Sequence, residues 1–223
     1  MNRIVILISC IILLLPGPAS AERDEFFFKV GAGAGASLLN NLSDELERQG
    51  GELPFPEYSI SVSLGKTFSD NTFSAEMAFG FSLLQDIRYQ NEYEDFHESM
   101  SHYDFSILVR RMIFPGKKLF SPSVGLGVGY GRTNLIEGAG RIDAFEILGS
   151  VQVDSQVRDN MDIFAEIFYI QGISDKEFGA PFLENLGTDV LLDSSGEPLR
   201  DRYGAAGLRV GVTIWLEAER YRY

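Results

Sequence analysis

The stretch Tyr58 to Phe68, YSISVSLGKTF, alternates apolar side chains with small polar ones. A period of two places Tyr58, Ile60, Val62, Leu64 and Phe68 on one face of a strand, with Ser59, Ser61, Ser63, Gly65 and Thr67 on the other. Such a strand needs apolar surroundings on one side only, and that need restricts the fold. In a soluble sheet the apolar face points inward, whereas in a membrane barrel it points outward into lipid.

The pattern recurs in eight segments, near Phe26–Ala36, Tyr58–Phe68, Thr72–Leu84, His102–Phe114, Leu119–Arg132, Ala144–Val157, Met161–Gly172 and Tyr203–Leu216. Each is close to the length that a tilted strand needs to cross a bilayer. The connections alternate in length. SDN at 69–71, PGKK at 115–118 and RDN at 158–160 are tight turns of hairpin-favouring residues, whereas those near 37–57, 85–101, 133–143 and 173–202 are long. All long loops therefore fall at one end of the sheet, a sorting expected of a transmembrane barrel and without a reason in a soluble sandwich.

The polar faces separate the two alternatives. TFSAEMAFGFSLL sets Phe73, Met77, Phe79 and Phe81 against Ser74, Glu76, Gly80 and Ser82, and the fifth segment sets Phe120, Val124, Leu126, Val128 and Tyr130 against serines and glycines. A solvated face would use Lys, Glu, Thr and Arg, which hydrate well and guard the sheet. Serine and glycine suit a confined space, such as the interior of an eight-stranded barrel that side chains just fill. The fold expected is all-β, an eight-stranded antiparallel up-and-down transmembrane β-barrel, with lipid on the apolar side and both termini at the short-turn end.

The chain opens MNRIVILISCIILLLPGPASA, with an early Arg3, an apolar run and a small-residue ending. This is the layout of a secretory signal peptide over residues 1–21, which leaves 22–223 as the barrel domain with four long external loops. The run is shorter than the ~20 residues a spanning helix needs. LISC loosely resembles a lipoprotein processing box, but the apolar run continues beyond Cys10. Cys10 is the single cysteine, so the mature chain is expected to form no disulfide. With 32 acidic and 19 basic residues and a net charge of −13, the composition argues against nucleic acid as a partner. No later segment could span as a helix, so entry into a membrane requires a closed barrel.

Aromatic residues sort by height. Tyr58, Tyr103, Tyr130, Phe145 and Tyr169 are outward by parity near the long-loop ends, and Phe28, Phe68, Phe73 and Phe120 lie near the short-turn ends. Two such belts mark the interfaces of a membrane-spanning sheet.

Taken with the final strand YGAAGLRVGVTIWL and the terminal aromatic Tyr223, the eight-strand pattern resembles the small bacterial outer-membrane barrels of the outer membrane protein A and outer membrane protein X type. The resemblance covers nearly the whole mature chain. It implies residence in the outer membrane of a Gram-negative envelope, contact with its lipid and lipopolysaccharide, assembly by the barrel-insertion machinery, and a monomer. The family usually ends in alternating apolar residues, whereas WLEAERYRY places Glu217 and Glu219 in that register. A short tail after Leu216 or a bulge before Tyr221 would account for the departure.

By parity Lys29, Glu76, Arg110, Asp154, Glu166 and Arg209 point inward at similar heights. Charges of both signs at one depth can pair across a narrow lumen and offset their desolvation, so the reading is a structural plug with Asp162 at its lower edge. A catalytic or proton-conducting role for Glu76 and Glu166 is the alternative, disfavoured because bases are interleaved with the acids.

The two histidines, His97 and His102, lie in DFHESMSHYDFS. His102, Ser101 and Asp104 are the weak candidates for nucleophilic or general-base chemistry, a lipid-modifying hydrolase or acyltransferase being the enzyme class at that level. The spacing matches no signature of those enzymes, and an ordinary rim histidine is the preferred reading.

The long loops are acidic, with Asp44, Glu45, Glu47, Glu52 and Glu57 in or beside the first and Asp175, Glu177, Asp193, Glu197 and Asp201 among those in the fourth. None has the spacing of a calcium loop, so neither metal nor cofactor is expected and the external ligand is not named by the sequence. In NLSDELERQGG, Ser43 is a plausible helix cap, and Leu42 and Leu46 would share a face able to cover the mouth or touch the membrane. The function expected is a non-enzymatic envelope or surface-interaction protein. A narrow solute channel is the second reading, suggested by the glycine-rich inner faces of the first and fifth strands.

Overall fold

A computed structural model describes residues 25–48, 55–68, 72–90, 95–113, 120–135, 141–158, 160–177 and 192–216. The expected signal peptide with Cys10, the tail from Glu217 to Tyr223, and turn residues 69–71, 114–119 and 159 lie outside the described residues.

The elements are β1 (Phe26–Ser37), α1 (Asn40–Arg48), β2 (Glu57–Phe68), β3 (Phe73–Gln90), β4 (Asp95–Met112), β5 (Ser121–Leu135), β6 (Arg141–Arg158), β7 (Met161–Gly172), β8 (Lys176–Glu177), β9 (Arg200–Asp201) and β10 (Gly204–Leu216). The eight long strands form a closed barrel in which chain neighbours pair antiparallel and β1 pairs with β10. β8 and β9 form a separate two-stranded ribbon in the last long loop.

The two faces follow the alternation of the sequence. Val128, Leu208 and Val210 are each 63% exposed on the outer wall, while Ser63, Glu76, Ser106 and Arg110 are buried on the inner one. A surface with Ile60, Met77, Phe79, Phe105, Ile107, Ile147 and Ile167 all exposed is too apolar for water and is matched to hydrocarbon.

Several strands are longer than the sequence pattern suggests. β3 and β4 run to Gln90 and from Asp95, so most of the segment at 85–101 is a paired hairpin with a register shift between Leu84 and Ile87. β5 and β6 likewise extend into the third expected loop. Beyond the bilayer there is no lipid to impose alternation, so the pairing continues without its sequence signature. The opposite correction applies at Tyr203, which precedes β10 and packs inside the barrel.

Glycine at two inner positions makes room for side chains. A Cβ on Gly31 would lie 2.8 Å from Arg209 Cδ and 2.9 Å from the Phe164 ring, and one on Gly131 would overlap the Glu146 carboxylate and the His102 ring. The glycine-rich inner faces of β1 and β5 thus adjoin long partner side chains.

Candidate functional site

The lumen holds two polar layers of different construction. The lower one, nearer the short turns, is centred on Arg110 of β4. Its Nε donates to Glu76 Oε1 at 2.7 Å, its Nη1 to Ser150 Oγ at 2.8 Å, and its Nη2 to Glu166 Oε1. Lys29 Nζ donates to Glu76 Oε1 at 2.8 Å, and Arg209 Nη1 donates to Glu166 Oε2 at 3.1 Å. Gln152 links Lys29 at 3.4 Å to Asp154 at 2.6 Å. Three cations and three carboxylates, drawn from six strands, therefore form a neutral hydrogen-bonded group. All six residues read from parity lie within it. Because these strands neighbour one another around a narrow circle, alternation alone brings their side chains to a common centre.

Below this layer Phe27 and Trp215 meet edge to face at 5.3 Å between ring centroids, and Trp215 Nε1 donates to Asp162 Oδ2 at 2.7 Å. The space left among the charged groups is a cavity of about 50 Å³, room for one or two waters.

The upper layer joins strand residues to a loop residue. The rings of His102 and Tyr203 stack at 3.5 Å with an 11° interplanar angle. His102 Nδ1 lies 3.0 Å from Thr133 Oγ1, and Nε2 lies 3.3 Å from Glu146 Oε1, within ion-pair reach but not aligned as a hydrogen bond. Tyr203 donates its hydroxyl to Glu57 Oε1. Above these groups an apolar cluster closes the mouth, with Leu39, Leu42, Leu46, Leu84, Ile87 and Met100 among its members.

Helix α1 is held there by distant residues. Asp201 Oδ2 accepts the Leu42 amide at 2.8 Å, Asn41 Nδ2 donates to the Arg200 carbonyl, and Glu45 Oε1 accepts the Ser194 amide at 3.0 Å. Ser43 is not the cap: its amide already donates to the Leu39 carbonyl at 2.9 Å as part of the helix. The cap comes from Asp201, 159 positions away, and burial holds that carboxyl above the ordinary aspartate range while its N–H donors pull it down. On the outside, α1 and the 192–200 segment enclose a polar cleft of about 270 Å³ lined by Asp44, Arg48, Asp193 and Arg200.

The candidate catalytic residues are not assembled. Ser101 pairs with Leu83 and Asn134 on the outward parity of β4, opposite to His102. Asp104 shares the inner face with His102 but accepts from Ser106 Oγ, at 3.4 Å. The partners of His102 are Thr133, Glu146 and Tyr203. Glu146 could have been found by parity, since it shares a face with Asp154. Tyr203 could also have been found, since it has the parity of Arg209 in the expected eighth segment, whereas Glu57 and Asp201 could not, because an acidic residue outside the expected strands carries no sign that it will fold inward.

Of the aromatic residues, Tyr58, Tyr103, Tyr130, Phe145 and Tyr169 are exposed toward the long loops, with Phe68 and Phe120 exposed and Phe28 half-buried toward the turns. Phe73 is a correction: it faces outward by register, but is only 8% exposed, beside Phe68 and under the Arg111 guanidinium at 5.6 Å.

No protein-family model matches the sequence, and no curated protein matches it either. Among solved structures, the chain is similar to neisserial surface protein A, with 13% identity and a TM-score of 0.55 over 86% of this chain and 99% of the other. It is also similar to the outer membrane protein OprG from Pseudomonas aeruginosa, with 12% identity and a TM-score of 0.52 over 90% of this chain and 99% of the other. Identities this low speak for architecture. The chain has the fold of the small eight-stranded outer-membrane β-barrels.

Proposed function

We propose that this protein is a non-enzymatic outer-membrane barrel with a closed interior, serving as a rigid membrane-anchored platform for its external surface. The observation that carries the reading is the Arg110-centred group, in which one guanidinium joins carboxylates from β3 and β7 across the lumen. The mouth above it is covered by α1, whose leucines pack into the same interior. A solute would have to displace both. The outward cleft beside α1, built from buried acceptors and exposed charges, gives the platform a shaped external face suited to contact with other molecules.

The apolar outer wall and aromatic belts support the membrane location. Planar-bilayer recording tests the closed interior. Wild type is expected to show no steady channels, and Arg110→Ala or Glu76→Ala is expected to leak. Steady conductance in wild type would overturn the reading and favour the solute channel.

A further inference from the structure

Polar atoms without partners gather in the upper layer of the lumen. Glu146 is 1% exposed, yet neither of its carboxylate oxygens accepts a hydrogen bond from the chain. Glu57 Oε2, Ser59 Oγ and His102 Nε2 are buried in the same condition. Register sets Ser59 in one row with Ser82 and His102, and Tyr203 bridges from His102 to Glu57. These groups therefore border one space, the one that the Tyr203 side chain now fills.

The layer is also one-sided in charge. Its buried carboxylates are Glu57, Asp104 and Glu146, set against the single imidazole of His102, whereas the buried Lys29 and Arg110 both lie in the lower layer. Buried carboxylates without donors are costly, so such a layer is suited to receive N–H groups and positive charge. A metal ion does not match it: among the described residues no three His, Cys, Asp or Glu side chains converge as a metal site needs.

Tyr203 satisfies the layer only in part. Its ring stacks on His102 at 3.5 Å and its hydroxyl gives Glu57 one donor, while Glu146 receives none. A guanidinium is equally flat and also stacks on aromatic rings, but it carries five donors and a positive charge. Tyr203 is tied to the lid as well. It stands two residues after Asp201, which caps α1, and packs in one apolar cluster with Leu39, Leu42 and Leu46. Withdrawal of Tyr203 therefore loosens α1 and opens the layer outward, with the Arg110 group remaining as its floor.

We infer that the upper layer is a binding site for a guanidinium group, for which Tyr203 is the internal placeholder. The incoming group stacks on His102 in place of the phenol ring and donates to Glu57 and Glu146. Such a pocket is blind, so the inference goes beyond the closed-interior reading without requiring passage. A free guanidinium solute and an arginine side chain of an external peptide share this chemistry.

The test is calorimetric titration of the folded full chain in detergent. The probes are argininamide, citrullinamide, which keeps the shape but lacks the guanidinium charge, and a nonapeptide with one central arginine. Wild type is expected to bind one argininamide per chain. Binding of the peptide at least about ten-fold more tightly would assign the site to a peptide side chain, and comparable binding to a free solute. Affinity should fall about ten-fold or more with citrullinamide and in E146Q, the scale of losing a charge-assisted hydrogen bond. Y203A should bind about ten-fold more tightly than wild type, because the competent state no longer has to be vacated. Y203F, which keeps the stack but releases Glu57, should gain by a smaller factor. D143N, on the opposite face of β6 from Glu146, should leave affinity unchanged. In wild type, hydrogen exchange in α1 should rise as argininamide saturates. No binding of either arginine probe, equal affinity for citrullinamide or in E146Q, a loss in D143N as large as in E146Q, or saturation without faster exchange in α1 would overturn the site. Steady conductance of wild type would instead overturn the closed-interior reading, and the guanidinium titration is independent of it.

Discussion

The two polar layers of the lumen show two ways of filling a barrel. In the lower layer, every charged partner comes from a strand, each acid bound to a cation or linked to one through Gln152. In the upper layer, a loop residue, Tyr203, enters from outside and stacks on His102, and the closure continues into α1 and its cap at Asp201. The lower layer is thus part of the barrel wall's own repeat. The upper one depends on the chain returning to the mouth after a long excursion.

Removing Arg110 is expected to have the largest effect, because it leaves Glu76 and Glu166 buried with fewer donors. Arg110→Ala should lower stability by about 3 to 5 kcal/mol, measured by urea unfolding in lipid vesicles, the range for breaking a buried ion pair by removing one partner. Adding Glu76→Gln and Glu166→Gln should recover part of the loss. If the triple variant were less stable than Arg110→Ala, charge balance would not be what organises the lower layer.

Tyr203→Ala should come next, at about 3 kcal/mol or somewhat more, the lower part of the range for deleting a buried aromatic side chain. Its signature should be spatial. Hydrogen exchange should rise in α1 and at the mouth while the Arg110 layer keeps its protection, and exchange rising equally in both would mean that the two layers are one cooperative unit.

A smaller effect, about 1 to 3 kcal/mol, is expected for Gly131→Ala, whose methyl group would crowd Glu146 and His102. Gly149→Ala is the comparison, since a Cβ there meets only Leu126 Cδ2 at 3.9 Å. It should change stability by under about 0.5 kcal/mol. The same pair of thermal melts would sink the close-packed account of the upper layer if both substitutions were neutral.

The smallest change should come from Asp201→Ala, about 0.5 to 2 kcal/mol, the cost of a lost helix cap. The pH dependence has a definite sign. Burial raises the folded-state pKa of Asp201, so the folded lid binds this proton more tightly than the unfolded chain does. Its contribution is greatest below the unfolded value of about 3.9 and declines as pH rises through the higher folded value. Exchange in α1, corrected for intrinsic rate, should therefore lose part of its protection over that rise in wild type. Asp201→Asn should remove that component.

The sequence by itself determined the barrel. Eight alternating segments, short and long connections in turn, and serine and glycine opposite apolar residues leave few other folds, because a period of two assigns faces without knowledge of distant partners. For the same reason it placed Lys29, Glu76, Arg110, Asp154, Glu166 and Arg209 in the lumen. Tertiary structure alone decided their pairings, the burial of Phe73 under Arg111, and the upper closure. Ser43 looked like the cap of α1 because local sequence offers only local donors and acceptors, yet Asp201 takes the position. Glu45, Glu57 and Asp201 read as solvated loop acids, and all three are buried acceptors. Parity acts between neighbours along a strand, whereas a loop has no period, and the side chains it returns to the barrel are selected by the shape and charge of a mouth that exists only once the strands have closed.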